Sequence, residues 1–295
     1  MSKFLNPTDL VKLSDMKLRA KVVVDGFMAG LHDSALKGLS LDFAEHREYV
    51  PGDELKYLDW KILGRTDRYY IKQYKEESTL ISYILLDKSS SMGYASGKIT
   101  KLQYASYLAA SLTYLMLRQQ DKVGLMLFNE KIAEYIPPKS ALSHMKFIMN
   151  SLDNISSGGK TSIWEALENI SGFMKKRGLI ILISDLYDNE DKVLKYLKYL
   201  NSKKNEVIVF HILDNAELVL NFKEPFIFEG MEDKLRVLAL PDMIRHEYKK
   251  LINEFINKHK SICEKNNIDY VLFDTLTPLE HGLIRYLEKR ERLLK

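Results

Sequence analysis

Thr79-Leu80-Ile81-Ser82-Tyr83-Ile84-Leu85-Leu86-Asp87-Lys88-Ser89-Ser90-Ser91-Met92 decides the reading of this chain: an apolar, strand-like run stops abruptly in Asp-x-Ser-x-Ser. At the carboxyl end of a buried strand the chain must turn. There Asp87, Ser89 and Ser91 can aim oxygens at one point, the arrangement a hard divalent cation requires. An all-oxygen set disfavours zinc. Alone the pattern is a weak signal, because serine and aspartate also cap helices and turns.

Two more segments strengthen it. Ser157-Gly158-Gly159-Lys160-Thr161-Ser162 precedes an amphipathic stretch, and Ile180-Ile181-Leu182-Ile183-Ser184-Asp185 ends a second apolar strand in a carboxylate. In an open parallel sheet, loops after neighbouring strands converge at the carboxyl edge, where strand order reverses and ligands bind. Ser89, Ser91 and Thr161 then offer hydroxyls, while Asp87 and Asp185 offer charge, directly or through waters. Mg2+, or Mn2+ in its place, keeps waters and near-octahedral geometry, which leaves a position for a partner's carboxylate.

Outward from this stretch, strands alternate with helices. Strands are expected at Leu80–Leu86, Lys122–Phe128, Ile132–Ile136, Leu179–Ser184, Glu206–Ile212 and Asp269–Phe273. Helices are expected at Thr100–Arg118, around Ala141–Leu152, and at Ile163–Lys176, Asp191–Leu200, Asp242–Asn266 and Pro278–Leu294. The rhythm predicts an α/β fold, a doubly wound and mainly parallel sheet flanked by helices. A helix opens the chain, from Pro7 to about Leu31, within residues 1–35. Residues 36–78 are dense in charge and aromatics and read as a small β-rich appendage. Residues 79–295 form the main domain, with a hairpin in 217–240 joining the appendage.

Composition limits the function classes. The 295 residues carry 44 Lys+Arg against 40 Asp+Glu, and the +4 balance is too small to indicate nucleic acid. The single cysteine, Cys263, excludes an internal disulfide framework and fits a reducing compartment. Apolar runs fall short of the roughly 20 residues that span a bilayer, so the expectation is a cytoplasmic protein without a membrane span. Catalytic signatures are missing. There is no Gly-x-Ser-x-Gly elbow, and His246-Glu247 lacks a second histidine. His211, within a strand, reads as a satisfied core residue. Gly158-Gly159-Lys160-Thr161 imitates the end of a P-loop, but the preceding segment reads as helix and the first glycine of the motif would fall on Asn154.

The three-loop constellation resembles the von Willebrand factor A-like fold with its metal-ion-dependent adhesion site. Asp87-x-Ser89-x-Ser91 matches that family's first motif, Thr161 its threonine loop and Asp185 its later strand-end aspartate. Lys160 departs from the usual Gly-Gly-Thr run, an insertion that would shift Thr161 or bring positive charge to the ion. The segment before the sheet narrows the resemblance. Arg47-Glu48-Tyr49-x-Pro51-Gly52-Asp53, then Asp59-Trp60 and Arg65, is similar to the hallmark of the bacterial domain-of-unknown-function family number fifty-eight, as are Thr275, Pro278-Leu279 and Tyr286-Leu287-x-x-Arg290 near the end. Lys56 stands where that family commonly has arginine.

Arg47, Asp53, Asp59, Trp60 and Arg65 read either as a paired network facing a partner or as a purely structural fastening. Members of the family are typically encoded beside MoxR-type AAA+ ATPases. The resemblance thus implies a protein-binding module, an adaptor or co-chaperone that captures an acidic side chain of the ATPase or of a client through Mg2+. Two alternatives stay open: a metal-dependent hydrolase using the same residues, and a degenerate domain whose serines merely cap a turn.

Overall fold

The computed structural model describes residues 6–32, 46–48, 70–72, 79–174, 176–222, 224–231 and 236–294. Ten strands are described. They are β1 (His46–Glu48), β2 (Tyr70–Lys72), β3 (Ile81–Asp87), β4 (Lys122–Phe128), β5 (Ile132–Lys139), β6 (Leu179–Ser184), β7 (Glu206–Leu213), β8 (Phe226–Glu229), β9 (Arg236–Ala239) and β10 (Asp269–Asp274). Six of them form the main sheet in the order β10-β7-β6-β3-β4-β5, parallel except for β5, which runs antiparallel to β4. This is the von Willebrand factor A-like α/β architecture that the sequence implied. After β5 the chain returns across β3 to enter β6, so strand order reverses between β3 and β6, which places a ligand crevice at their carboxyl ends.

Eight α-helices are described: α1 (Met16–His32), α2 (Lys101–Arg118), α3 (His144–Asp153), α4 (Ile163–Phe173), α5 (Glu190–Ser202), α6 (Asn215–Val219), α7 (Pro241–Lys265) and α8 (Glu280–Leu294). Alternate strand residues serve opposite faces. Ile84, Leu86, Ile181, Ile183 and Phe210 pack with α1, α2, α3 and α8, while Tyr83, Leu85, Ile180, Leu182 and Val209 pack with α4, α5 and α7. The apolar surface of α2 runs nearly all round, and α1 explains it by laying Val23, Val24 and Phe27 on its outer side.

Several boundaries differ from the sequence expectation. Residues Pro7–Lys12 form a separate 3-10 turn capped by Asn6, the chain is extended at Leu13, and α1 starts only at Met16. Leu10, Leu13 and Met16 keep helical spacing across that break, so periodicity could not reveal it. β5 continues past Ile136 to Lys139, because an edge strand tolerates Pro137 and Pro138. The hairpin forms as β8 and β9, paired with each other, and β1 pairs with β2. Whether the hairpin joins the appendage falls largely outside the described residues.

Candidate functional site

The register Leu86↔Ile183 carries Asp87 to the level of Ser184, at the carboxyl ends of β3 and β6. Asp87 is entirely buried. Its Oδ1 accepts from the Ser89 N–H at 2.8 Å, and its Oδ2 accepts from Ser184 Oγ at 2.7 Å and Thr161 Oγ1 at 3.0 Å. The Ser89 and Ser91 hydroxyls lie 3.0 Å apart. Asp87, Ser89, Ser91 and Thr161 are therefore brought together, with Ser91 and Thr161 half-buried on the outer side. Burial, and then the charge of Asp185, push the Asp87 carboxyl up to about 7.

Backbone geometry holds Thr161 there in spite of Lys160. The Ser90 N–H donates to the Gly159 carbonyl and the Gly158 N–H to that of Lys88, each at 2.9 Å. Asn129 Nδ2 donates to the Gly158 carbonyl at 2.8 Å. Gly159 sits at φ +80° with Asn129 packed against it, a position that favours glycine. Lys160 points to solvent. The extra residue is thus absorbed by the loop, and Thr161 still reaches Asp87.

Asp185 is held differently. Its Oδ2 accepts from Lys101 Nζ at 2.8 Å, and the same ammonium reaches Glu217 Oε1 at 2.8 Å. Burial opposes the charge on Lys101, but the two carboxylates outweigh it and hold the ammonium above its ordinary value. Sequence reasoning missed Lys101, Glu217, Ser184 and Asn129. One signal was available for Lys101. It opens α2, where the helix dipole disfavours a cation, and the first turn holds no acidic residue. A lysine there requires anions from elsewhere in the fold.

His211 is satisfied, as the sequence suggested. Nδ1 lies 2.6 Å from the Tyr270 hydroxyl and Nε2 2.9 Å from the Asp185 carbonyl, and burial lowers its pKa to about 3. Cys263 is buried, which pushes its thiol up to about 12. The segment before Gly158 is α3, so the P-loop reading fails on structure too. Of the charged segment, Arg47 lies on β1 opposite Ile71; Asp53, Asp59, Trp60 and Arg65 fall outside the described residues. Among the described residues no three His, Cys, Asp or Glu side chains gather to hold a metal. The oxygen set at β3 that could hold one is mostly hydroxyl. Among the described residues, no helix is long and apolar enough to cross a membrane.

Comparison with known proteins places this geometry in a family. An uncharacterized protein of Mycobacterium tuberculosis is 21% identical over 220 residues, covering 73% of this chain and 68% of its own. Among solved structures, BatB from Bacteroides thetaiotaomicron shares 19% identity with a TM-score of 0.48, covering 72% of this chain and 99% of that one. An aerotolerance-related membrane protein from Bacteroides fragilis shares 21% identity with a TM-score of 0.46, covering 71% and 99%. The family described as "Protein of unknown function DUF58" matches residues 45–257, from the charged segment through the Asp87 corner and into α7, and the chain belongs to that family.

Proposed function

We propose that this chain is a metal-dependent protein-binding module in which Asp87, Ser89, Ser91 and Thr161 hold a Mg2+ or Mn2+ ion that captures a carboxylate of a partner protein. The observation that carries this reading is Asp87 itself. It is a fully buried carboxylate whose partners among the described residues are all neutral donors, and none of the ion pairs among those residues reaches it. An unpaired buried carboxylate is costly. Asp87, Asp185 and Glu217 bring three negative charges against one from Lys101, so a divalent ion makes the group neutral. The donors are hard oxygens, which suits Mg2+ or Mn2+.

When bound, the ion supplies a Lewis-acidic point that an incoming carboxylate can complete. Ser184 and Thr161 orient Asp87 for it. Lys101 occupies Asp185, so Asp87 is the carboxylate left to bind directly, and the ion would keep a coordination position open to a partner. The role is binding rather than turnover, since His211, the histidine beside the corner, has both ring nitrogens engaged. We assign the partner to a MoxR-type AAA+ ATPase or its client, with this chain acting as an adaptor or co-chaperone in the cytoplasm. The Arg47–Arg65 resemblance supports that assignment.

The test is a pull-down with wild type and a folded Ser89→Ala/Ser91→Ala variant, each with Mg2+ and with chelator. Recovery of an AAA+ ATPase by wild type with Mg2+ alone is expected. Equal recovery in all four samples would sink the reading.

A further inference from the structure

A cavity of about 620 Å3 opens beside Ser91, between the turn after β3, α6, α7 and the β8–β9 hairpin. Its walls are apolar and aromatic, formed by Tyr94, Tyr187, Leu220, Phe222, Phe226 and Tyr248. The volume lies within the roughly 300–1,000 Å3 usual for a site that takes a ligand group.

The walls are built rather than left over from loose packing. Leu220 is buried in the left-handed region at φ 46°, a conformation that is strained for leucine, and Arg245 pins the loop behind it through the carbonyls of Leu220 (3.2 Å) and Phe222 (2.8 Å). The rings of Phe222 and Phe226 are 4.7 Å apart, and the Tyr248 hydroxyl donates to the Glu217 carbonyl at 2.8 Å. The charges at the wall are already paired, Glu217 with Lys101 and Glu229 with Arg236. The cavity therefore has no free charge among its described lining to attract an ionic group, and it suits an apolar one.

We propose that this cavity receives a large apolar side chain of the same partner segment whose carboxylate binds at Asp87–Thr161. The ligand is then a peptide with Asp or Glu and, within one or two residues of it, Phe, Tyr, Trp, Leu or Met. This rests on the ion-binding reading, and the link is Ser91, which belongs to the oxygen set and also lines the cavity. A carboxylate on the ion would thus bring the flanking residue to the cavity mouth. Burying one such side chain corresponds to about ten- to hundredfold in affinity.

The probe is an array of acetylated, amidated peptides with a central Asp, or Asn in a control set, and every residue in turn at each of the two positions on either side, read with Mg2+ and with chelator. Its best binder is then measured by fluorescence anisotropy against wild type and Phe226→Ala, whose Mg2+ affinity and melting are checked in parallel. Selection of aromatic or large aliphatic residues at one flank is expected. An apolar-to-Ala change in the peptide and Phe226→Ala in the protein should each weaken binding at least tenfold, with Mg2+ affinity unchanged. Binding that needs Mg2+ and Asp but ignores the flanks would overturn the cavity assignment and leave the ion reading standing. Apolar selection that persists with chelator and with Asn at the centre would overturn the acidic half of the ligand and the ion reading with it. No retention in any arm would overturn both.

Discussion

The two ends of the sheet each bury an aspartate, and they treat it in opposite ways. At the amino end, Asp121 immediately precedes β4. It accepts from the Leu80 N–H at 3.1 Å, from the Tyr286 hydroxyl at 2.8 Å, and from the Arg290 guanidinium at 2.6 and 3.2 Å. At the carboxyl end, Asp87 is as deeply buried and accepts from as many residues, three, yet no guanidinium or ammonium faces it among the described residues. Burial and the number of donor residues do not separate the two; charge compensation does. The fork from Arg290 makes Asp121 a clamp that fastens α8 to the start of β3 and β4. The neutral shell of Asp87 leaves a charge for something outside the chain to answer. The Tyr286 and Arg290 of the closing motif are thereby explained as structure rather than function.

The largest expected effect is at the boundary between the two regimes, where Lys101 compensates Asp185 and Glu217 but not Asp87. Lys101→Met leaves two buried carboxylates without a cation and should cost about 3–5 kcal/mol in metal-free urea unfolding, with Mg2+ restoring more of the loss than it adds to wild type. If the loss is under about 1 kcal/mol, the ammonium is not the compensating charge. Next comes Asp121→Asn, which keeps the shape and removes the partner of Arg290. It should cost about 2–3 kcal/mol, equally with and without Mg2+. Any sensitivity to Mg2+ there would erase the contrast between the two ends.

The sheet was legible because its strands announce themselves. Leu179–Ser184 is buried at every position and appears in the sequence as an unbroken apolar run, and the crossover rhythm then fixes the layers. The meeting of Asp87 and Thr161 was legible for a related reason: Asp87 ends a strand, Thr161 lies just before a helix, and the order of strands brings those two points together. For Lys101 only its place at a helix start was legible; the anions that answer it were not, since they come from 84 and 116 residues away and no local pattern records such a meeting. The cavity was hidden likewise. Tyr94, Leu220, Phe226 and Tyr248 are separate aromatic and apolar positions until α6 and the hairpin fold them around one space.

A smaller effect, and one with a sign, concerns Asp87 in the metal-free protein. Its folded pKa of about 7 lies above the ordinary value of 3.8. The folded state therefore keeps a proton that the unfolded chain releases, and the stability this supplies is complete below about pH 4 and lost as pH rises through 7. Asp87→Asn should remove that slope and stabilise the metal-free protein at pH 8 by about 1–3 kcal/mol, each pKa unit being worth about 1.4 kcal/mol. The same variant should gain nothing from Mg2+. A destabilised variant at pH 8 would mean that the carboxylate is compensated within the chain, as Asp121 is.

The smallest effect sharpens the comparison by removing one neutral donor at each end. Ser184→Ala takes the 2.7 Å hydrogen bond from Asp87 and the 3.0 Å acceptor from the Leu186 N–H; Tyr286→Phe takes the 2.8 Å hydrogen bond from Asp121. Each should cost about 1 kcal/mol. The Ser184 hydroxyl favours the ionised form of Asp87, so its loss should move the pH at which metal-free stability declines upward and weaken Mg2+ binding. Tyr286→Phe should leave Mg2+ binding as it is, because Arg290 still answers the charge at the other end. Thermal melts across pH 5 to 8, with and without Mg2+, read both variants in one experiment. Equal Mg2+ dependence in the two would mean that the neutral shell around Asp87 does not prepare it for an ion.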